Sequence, residues 1–121
     1  MEKKRILIVD DEEAFGDIVK LNLEYTGEFE VLAEKRGSEA LNAARHFRPD
    51  LIILDVLMPD MDGPAVLKEL RKDKDFKNTP VIFLTALVSK NQSADGRNQP
   101  YVASKPISSD DLLEIVRRHL K

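Results

Sequence analysis

Three short runs, Ile6-Leu7-Ile8-Val9, Leu51-Ile52-Ile53-Leu54 and Val81-Ile82-Phe83-Leu84, contain no polar residue. A β-strand points alternate side chains to opposite faces, so a wholly apolar run has no face to give to water. Each run therefore reads as a strand buried on both sides, the pattern of a parallel sheet covered by helices. Each also stops at side-chain oxygens: Asp10-Asp11-Glu12, Asp55 and Thr85. In open parallel sheets, ligands bind at the carboxyl ends of the strands. A carboxylate such as Asp55 at that edge is either a strand-terminating turn residue or a functional group.

The segments between the runs complete the alternation. Ala14, Ile18, Leu21 and Tyr25 recur at helical spacing, with Phe15 and Val19 widening the stripe, and Gly27 suits the stop. Phe29 to Ala33 is a shorter, less apolar strand, expected near an edge. Ser38 is the expected cap of a helix buried through Ala40, Leu41, Ala44 and Phe47, ended by Arg48-Pro49. Asp62 or Gly63 opens a third helix, with Pro64 in its first turn and Val66, Leu67 and Leu70 on its apolar side. The charged run Lys68 to Lys77 reads as a solvated helix end and loop. Residues 88 to 100 carry no amphipathic pattern, so a fourth helix there is expected to be short or irregular. Tyr101-Val102-Ala103 is a short strand leading into Ser104-Lys105-Pro106. Ser108 caps the last helix, Ile107 staples onto Leu112, and Leu112, Ile115, Val116 and Leu120 face the core.

Strands alternating with helices in this way predict an α/β fold with a doubly wound, five-stranded parallel sheet. The order 2-1-3-4-5 places the three most apolar strands in the middle, where both faces are covered. The 121 residues fit one domain, 1–121. No cysteine is present, which removes disulfide scaffolds, thiol catalysis and zinc–thiolate sites. The net charge is -3 with scattered basic residues, so neither nucleic acid nor an anionic membrane is an expected partner. The apolar run after Met1-Glu2-Lys3-Lys4-Arg5 is too short for a signal-peptide core or a membrane span, and a cytoplasmic protein is expected.

In the 2-1-3-4-5 order, Asp10, Asp11, Asp55, Thr85 and Lys105 converge on one sheet edge from four strand ends. Each alone has an ordinary reading: an acidic helix start for residues 10 to 12, a helix cap for Thr85, a solvated lysine for Lys105. Together they suggest one site. Clustered carboxylates raise one another's pKa unless a cation sits among them, and an oxygen-only donor set favours Mg²⁺. A metal, an ammonium and a hydroxyl around one carboxylate suit phosphoryl transfer with that carboxylate as nucleophile.

These residues resemble the receiver domain of two-component response regulators (CheY-like), a flavodoxin-like domain. The resemblance covers the whole chain and is carried by Ile6-Leu7-Ile8-Val9-Asp10-Asp11-Glu12, Leu54-Asp55-Val56-Leu57-Met58-Pro59-Asp60-Met61-Asp62-Gly63, Phe83-Leu84-Thr85-Ala86 and Ser104-Lys105-Pro106. It implies that Asp55 accepts a phosphoryl group from a sensor histidine kinase or phosphotransfer protein. It also implies that Asp11, Asp55 and the Leu57 backbone carbonyl bind Mg²⁺ directly, and Asp10 through a water. Lys105 would pair with the acyl phosphate, and its bond to Pro106 would be cis. Thr85 would swing to the phosphoryl group and report its presence to an unknown downstream protein through the surface of helix four, strand five and helix five.

Three features depart from the pattern. The switch aromatic usually lies three residues before the lysine; here Tyr101 lies four before Lys105 and Val102 holds that place. Side chains alternate along a strand, so Tyr101 acts with Thr85 as a switch only if a bulge restores its face. The Gly-Ala pair that usually precedes the aromatic is missing. Leu57 and Leu87, two residues past Asp55 and Thr85, have no group to orient water, which predicts slow loss of an acyl phosphate. Asp60, Asp62, Gly63 and Glu69 match part of a calcium-loop pattern, but Met58 stands where its first carboxylate belongs.

The leading expectation is a phosphorylation-controlled switch, catalytic only toward its own phosphorylation and slow dephosphorylation, and either a stand-alone regulator or relay or an excised domain. The alternatives are an Mg²⁺-dependent aspartyl-phosphate hydrolase, which would need an acid where Leu57 stands, and a phosphorylation-independent binding module.

Overall fold

The computed structural model describes residues 2–86 and 101–120. Leu87 and the expected fourth helix within 88 to 100 lie outside the described residues. Five strands, β1 (Lys4–Val9), β2 (Phe29–Glu34), β3 (Leu51–Leu54), β4 (Val81–Thr85) and β5 (Tyr101–Ser104), form one sheet. The order is β2-β1-β3-β4-β5 and every pairing is parallel. Between them run α1 (Glu13–Tyr25), α2 (Ala40–Phe47), α3 (Gly63–Lys72) and the C-terminal α4 (Ser109–His119). This is the doubly wound parallel arrangement that the apolar runs predict, and the flavodoxin-like one that the resemblance implies.

Strand alternation divides the core into two layers. Ile6, Ile8, Leu51, Ile53, Ile82 and Leu84 point toward α1 and α4, where Val19, Leu23, Leu112, Ile115 and Val116 meet them. Leu7, Val9, Ile52, Leu54, Val81 and Phe83 point toward α2 and α3, onto Ala40, Ala44, Val66 and Leu70. Every residue of β1, β3 and β4 from Ile6 onward is buried, because helices cover both faces.

Two expectations need correction. The α1 stripe Ala14, Ile18, Leu21 and Tyr25 faces solvent: Ile18 is 57%, Leu21 71% and Tyr25 92% exposed. The buried face is Gly16, Val19 and Leu23, with Phe15 half-buried against it. Both stripes have helical spacing and lie side by side on the cylinder, so periodicity alone does not choose between them. Nor is Ser38 a side-chain cap for α2. It lies inside a short 3₁₀ turn, Gly37–Glu39, that leads into the helix, and no side chain of that segment caps it. The 3₁₀ turn itself is capped by Asp60, from the β3–α3 loop, which accepts the Gly37 and Ser38 amides.

The other helix ends follow the sequence signals. Asp62 accepts the Ala65 amide at 2.9 Å and opens α3 with Pro64 in the first turn. The Ser108 hydroxyl accepts the Asp111 amide at 3.1 Å and opens α4. Asp60 and Asp62 are thus both committed to backbone amides, which accounts for the partial calcium-loop match.

Candidate functional site

Parallel strands that start together also end together, and the register brings four ends to one edge. Val9 pairs with Leu54, Leu54 with Phe83 and Thr85 with Ser104, so Asp10 and Asp55 follow in one row, Thr85 lies one row on and Lys105 one row beyond that. The Asp55 amide donates to the Val9 carbonyl at 2.9 Å and the Lys105 amide to the Thr85 carbonyl at 2.9 Å, extending the ladders by one bond. Asp10, Asp55 and Thr85 are buried while Asp11 is exposed at the rim. The Lys105–Pro106 peptide bond is cis.

Lys105 sits at the centre. Its ammonium lies 2.7 Å from Asp10 Oδ2, 2.8 Å from Glu12 Oε1 and 3.7 Å from Asp55 Oδ2, and 4.4 Å from the centre of the Phe15 ring. The other Asp10 oxygen accepts the Glu12 amide at 2.9 Å, which fixes the start of α1 against the cluster. Glu12 and Phe15 were not among the residues expected to act here. The third acid of the run at 10 to 12 was the available signal for Glu12. Phe15 looked like any helix-stripe residue, and its place over Lys105 comes from packing.

The electrostatics are those of an under-compensated anionic cluster. Burial, then the neighbouring Asp10, push the Asp55 carboxyl up to about 6, against the pull of Lys105. Burial also raises Asp10, partly offset by its bond to Lys105. Burial alone would lower the Lys105 ammonium, but its bonds to Asp10 and Glu12 outweigh this and hold it above the usual lysine range. Ligand oxygens of Asp10, Asp11 and Asp55 lie within 4.8 Å of one another. That donor set, all oxygen and with the Asp10 and Asp55 carboxyls both raised, fits a hard divalent cation.

The loop after Asp55 closes tightly. The Leu57 amide donates to the Asp55 carboxylate, and the Gly63 amide to the Val56 carbonyl at 2.9 Å. Gly63 is buried against this turn, and a Cβ there would meet the Asp55 carbonyl oxygen at 2.5 Å. Leu57 is 59% exposed at the mouth of the site.

Tyr101 is not placed to work with Thr85. The β4–β5 register runs from Ile82–Tyr101 to Thr85–Ser104 without a bulge, so alternation holds. Tyr101 packs into the α1–α4 layer, edge-on to His119 with ring centres 5.3 Å apart. Val102 instead joins the α2–α3 layer with Phe83, on the face that Thr85 shares by alternation.

A family model described as the response regulator receiver domain matches residues 6–117. The chain is 38% identical over 117 residues to the response regulator Rre1 of Synechocystis, covering 95% of this chain but 51% of that protein. It thus spans about half the length of that relative. It is 34% identical over 120 residues to the polar-differentiation response regulator DivK of Brucella anthropi, covering 97% of this chain and 96% of DivK. Among solved structures, the chemotaxis protein CheY4 of Vibrio cholerae superposes with a TM-score of 0.84 at 30% identity, over 98% of this chain and all of that one (100%).

Proposed function

The chain belongs to the response regulator receiver family, the phosphorylation-activated switches of two-component signalling, and we propose that Asp55 is its phosphoacceptor. The observation that carries this assignment is the placement of the Asp55 carboxylate: buried at the end of the central strand β3, beside one ammonium and two further carboxylates.

In this reading, an Asp55 oxygen attacks the phosphorus of a phosphohistidine. The new P–O bond forms as the P–N bond to the imidazole breaks. Lys105 then exchanges carboxylate partners for a phosphoryl oxygen, a move its 3.7 Å distance from Asp55 makes short. Asp11, Asp55 and the Leu57 carbonyl would hold Mg²⁺ directly and Asp10 through a water, and the ion would supply neutralisation of charge on the transferring group. Thr85, at the next strand end, takes the remaining phosphoryl contact and passes the change toward β5. Attack requires the carboxylate form, which burial and Asp10 disfavour in the metal-free cluster and which a bound cation would favour.

The chain acts catalytically only on itself. A sensor histidine kinase or phosphotransfer protein supplies the group and a downstream protein reads the result. Among the described residues no helix is long and apolar enough to cross a membrane.

The test is Mg²⁺-dependent labelling by acetyl phosphate, with Asp55→Ala as control. Label on the wild type alone is expected. Equal label on the variant overturns the assignment, and multiple turnover of an external phosphate ester would make the chain a hydrolase instead.

A further inference from the structure

Asp60 lies five residues past Asp55, exposed on the β3–α3 loop, yet its carboxylate is fully engaged. One oxygen accepts the Gly37 amide at 3.3 Å and the other the Ser38 amide at 3.0 Å, 23 and 22 residues away in sequence. Bonding from the Ser38 hydroxyl, then from these amides, holds the Asp60 carboxyl down to about 2. The contact is backed by backbone: Gly37 is buried under Met61, and a Cβ there would run into the Met61 carbonyl oxygen. No residue but glycine fits that approach unless the loop moves.

The segment 56 to 62 therefore has few anchors. Gly63 ties its end to Val56, the Met58 side chain is buried in the α2–α3 layer, and Asp60 ties its outer turn to the β2–α2 connection. Leu57 itself is exposed and its amide bonds the Asp55 carboxylate, so its carbonyl belongs to the stretch between that bond and the Asp60 clamp. Pro59, whose ring fixes φ, leaves one fewer rotation between Asp60 and that peptide.

We propose that Asp60 is a positioning residue: by clamping the β3–α3 loop onto Gly37 and Ser38, it aims the Leu57 carbonyl at the metal site formed with Asp11 and Asp55. The inference rests on the metal-binding reading of that site. Groups that orient a metal ligand without touching the metal commonly change affinity by about ten- to a hundredfold. With one of three direct protein ligands affected, about a tenfold loss is expected.

Calorimetric titration of the whole chain with Mg²⁺ tests this on the wild type, Asp60→Ala and Asp60→Asn. Both variants remove the same charge, but asparagine keeps a carbonyl oxygen that accepts one of the two amides. Asp60→Ala is expected to bind Mg²⁺ about tenfold more weakly. Asp60→Asn should lose clearly less, with amide exchange at Gly37, Ser38 and Met58 faster in the alanine variant. Equal losses in the two variants would mean a charge effect alone and would overturn the positioning role, as would unchanged affinity in Asp60→Ala. A wild type that fails to bind Mg²⁺ would sink the metal reading itself, a result distinguishable from failure of the clamp.

Discussion

Replacing Asp55 by asparagine should stabilise the folded chain, and only above a definite pH. The carboxyl is raised from 3.8 to about 6 by burial and by Asp10, so its charged form is disfavoured in the fold. Below pH 3.8 the group is protonated whether the chain is folded or not, and contributes nothing to pH dependence. As pH rises toward 6, the unfolded chain releases the proton first while the folded chain retains it, so stability falls. Above about 6 the loss is complete. A shift of about 2.2 at 1.36 kcal/mol per pKa unit corresponds to about 3 kcal/mol. Asparagine has nearly the same shape and no charge to desolvate. Asp55→Asn should therefore match the wild type near pH 4 and exceed it by about 3 kcal/mol at pH 7.5, roughly 10 °C in Tm. Urea melts of both proteins across this range, without Mg²⁺, give the difference directly. Saturating Mg²⁺ should then narrow the gap by stabilising the wild type, which holds the full ligand set. A difference independent of pH, or a variant less stable than the wild type at pH 7.5, would refute the electrostatic account of the site.

Further outcomes follow from other contacts. Leu23→Ala should cost about 3 kcal/mol in urea melts, whereas Leu21→Ala, two residues away on the exposed stripe, should stay within about 0.5 kcal/mol. Gly63→Ala should destabilise by about 3 kcal/mol and slow acetyl phosphate labelling, because its Cβ displaces the Asp55 carbonyl. Leu57→Asn supplies a polar group at the mouth of the site and should shorten the lifetime of the acyl phosphate, followed by loss of label after the phosphodonor is removed. Equal lifetimes would show that this position does not control water access.

The sheet was legible in the sequence because double burial leaves its mark residue by residue. A strand covered on both faces has no polar position, and Ile6 to Val9, Leu51 to Leu54 and Val81 to Leu84 have none. With the order so constrained, the convergence of Asp10, Asp55, Thr85 and Lys105 followed from where the strands stop, and successive rows in the register place them together. Local chemistry likewise marked the starts of α3 and α4, since Asp62 and Ser108 cap amides only three residues away.

Whatever depended on a distant partner was decided by tertiary structure. The sequence of α1 offered two apolar stripes, and contact with the sheet selected Val19 and Leu23 over Ile18 and Leu21. The cap of the 3₁₀ turn before α2 came from Asp60, more than twenty residues downstream, rather than from Ser38 beside it. The side of the sheet that Tyr101 occupies rested on whether β5 carried a bulge, and the continuous pairing with β4 shows none. Lys105 gained Glu12 and Phe15 as neighbours through the packing of α1 against the sheet edge. Burial pattern and local capping are written in neighbouring residues, so the chain determined its architecture and the place of its chemistry unaided. Helix rotation, cross-loop clamps and the partners of a central charge depend on contacts between residues far apart in sequence, and those exist only once the sheet has assembled.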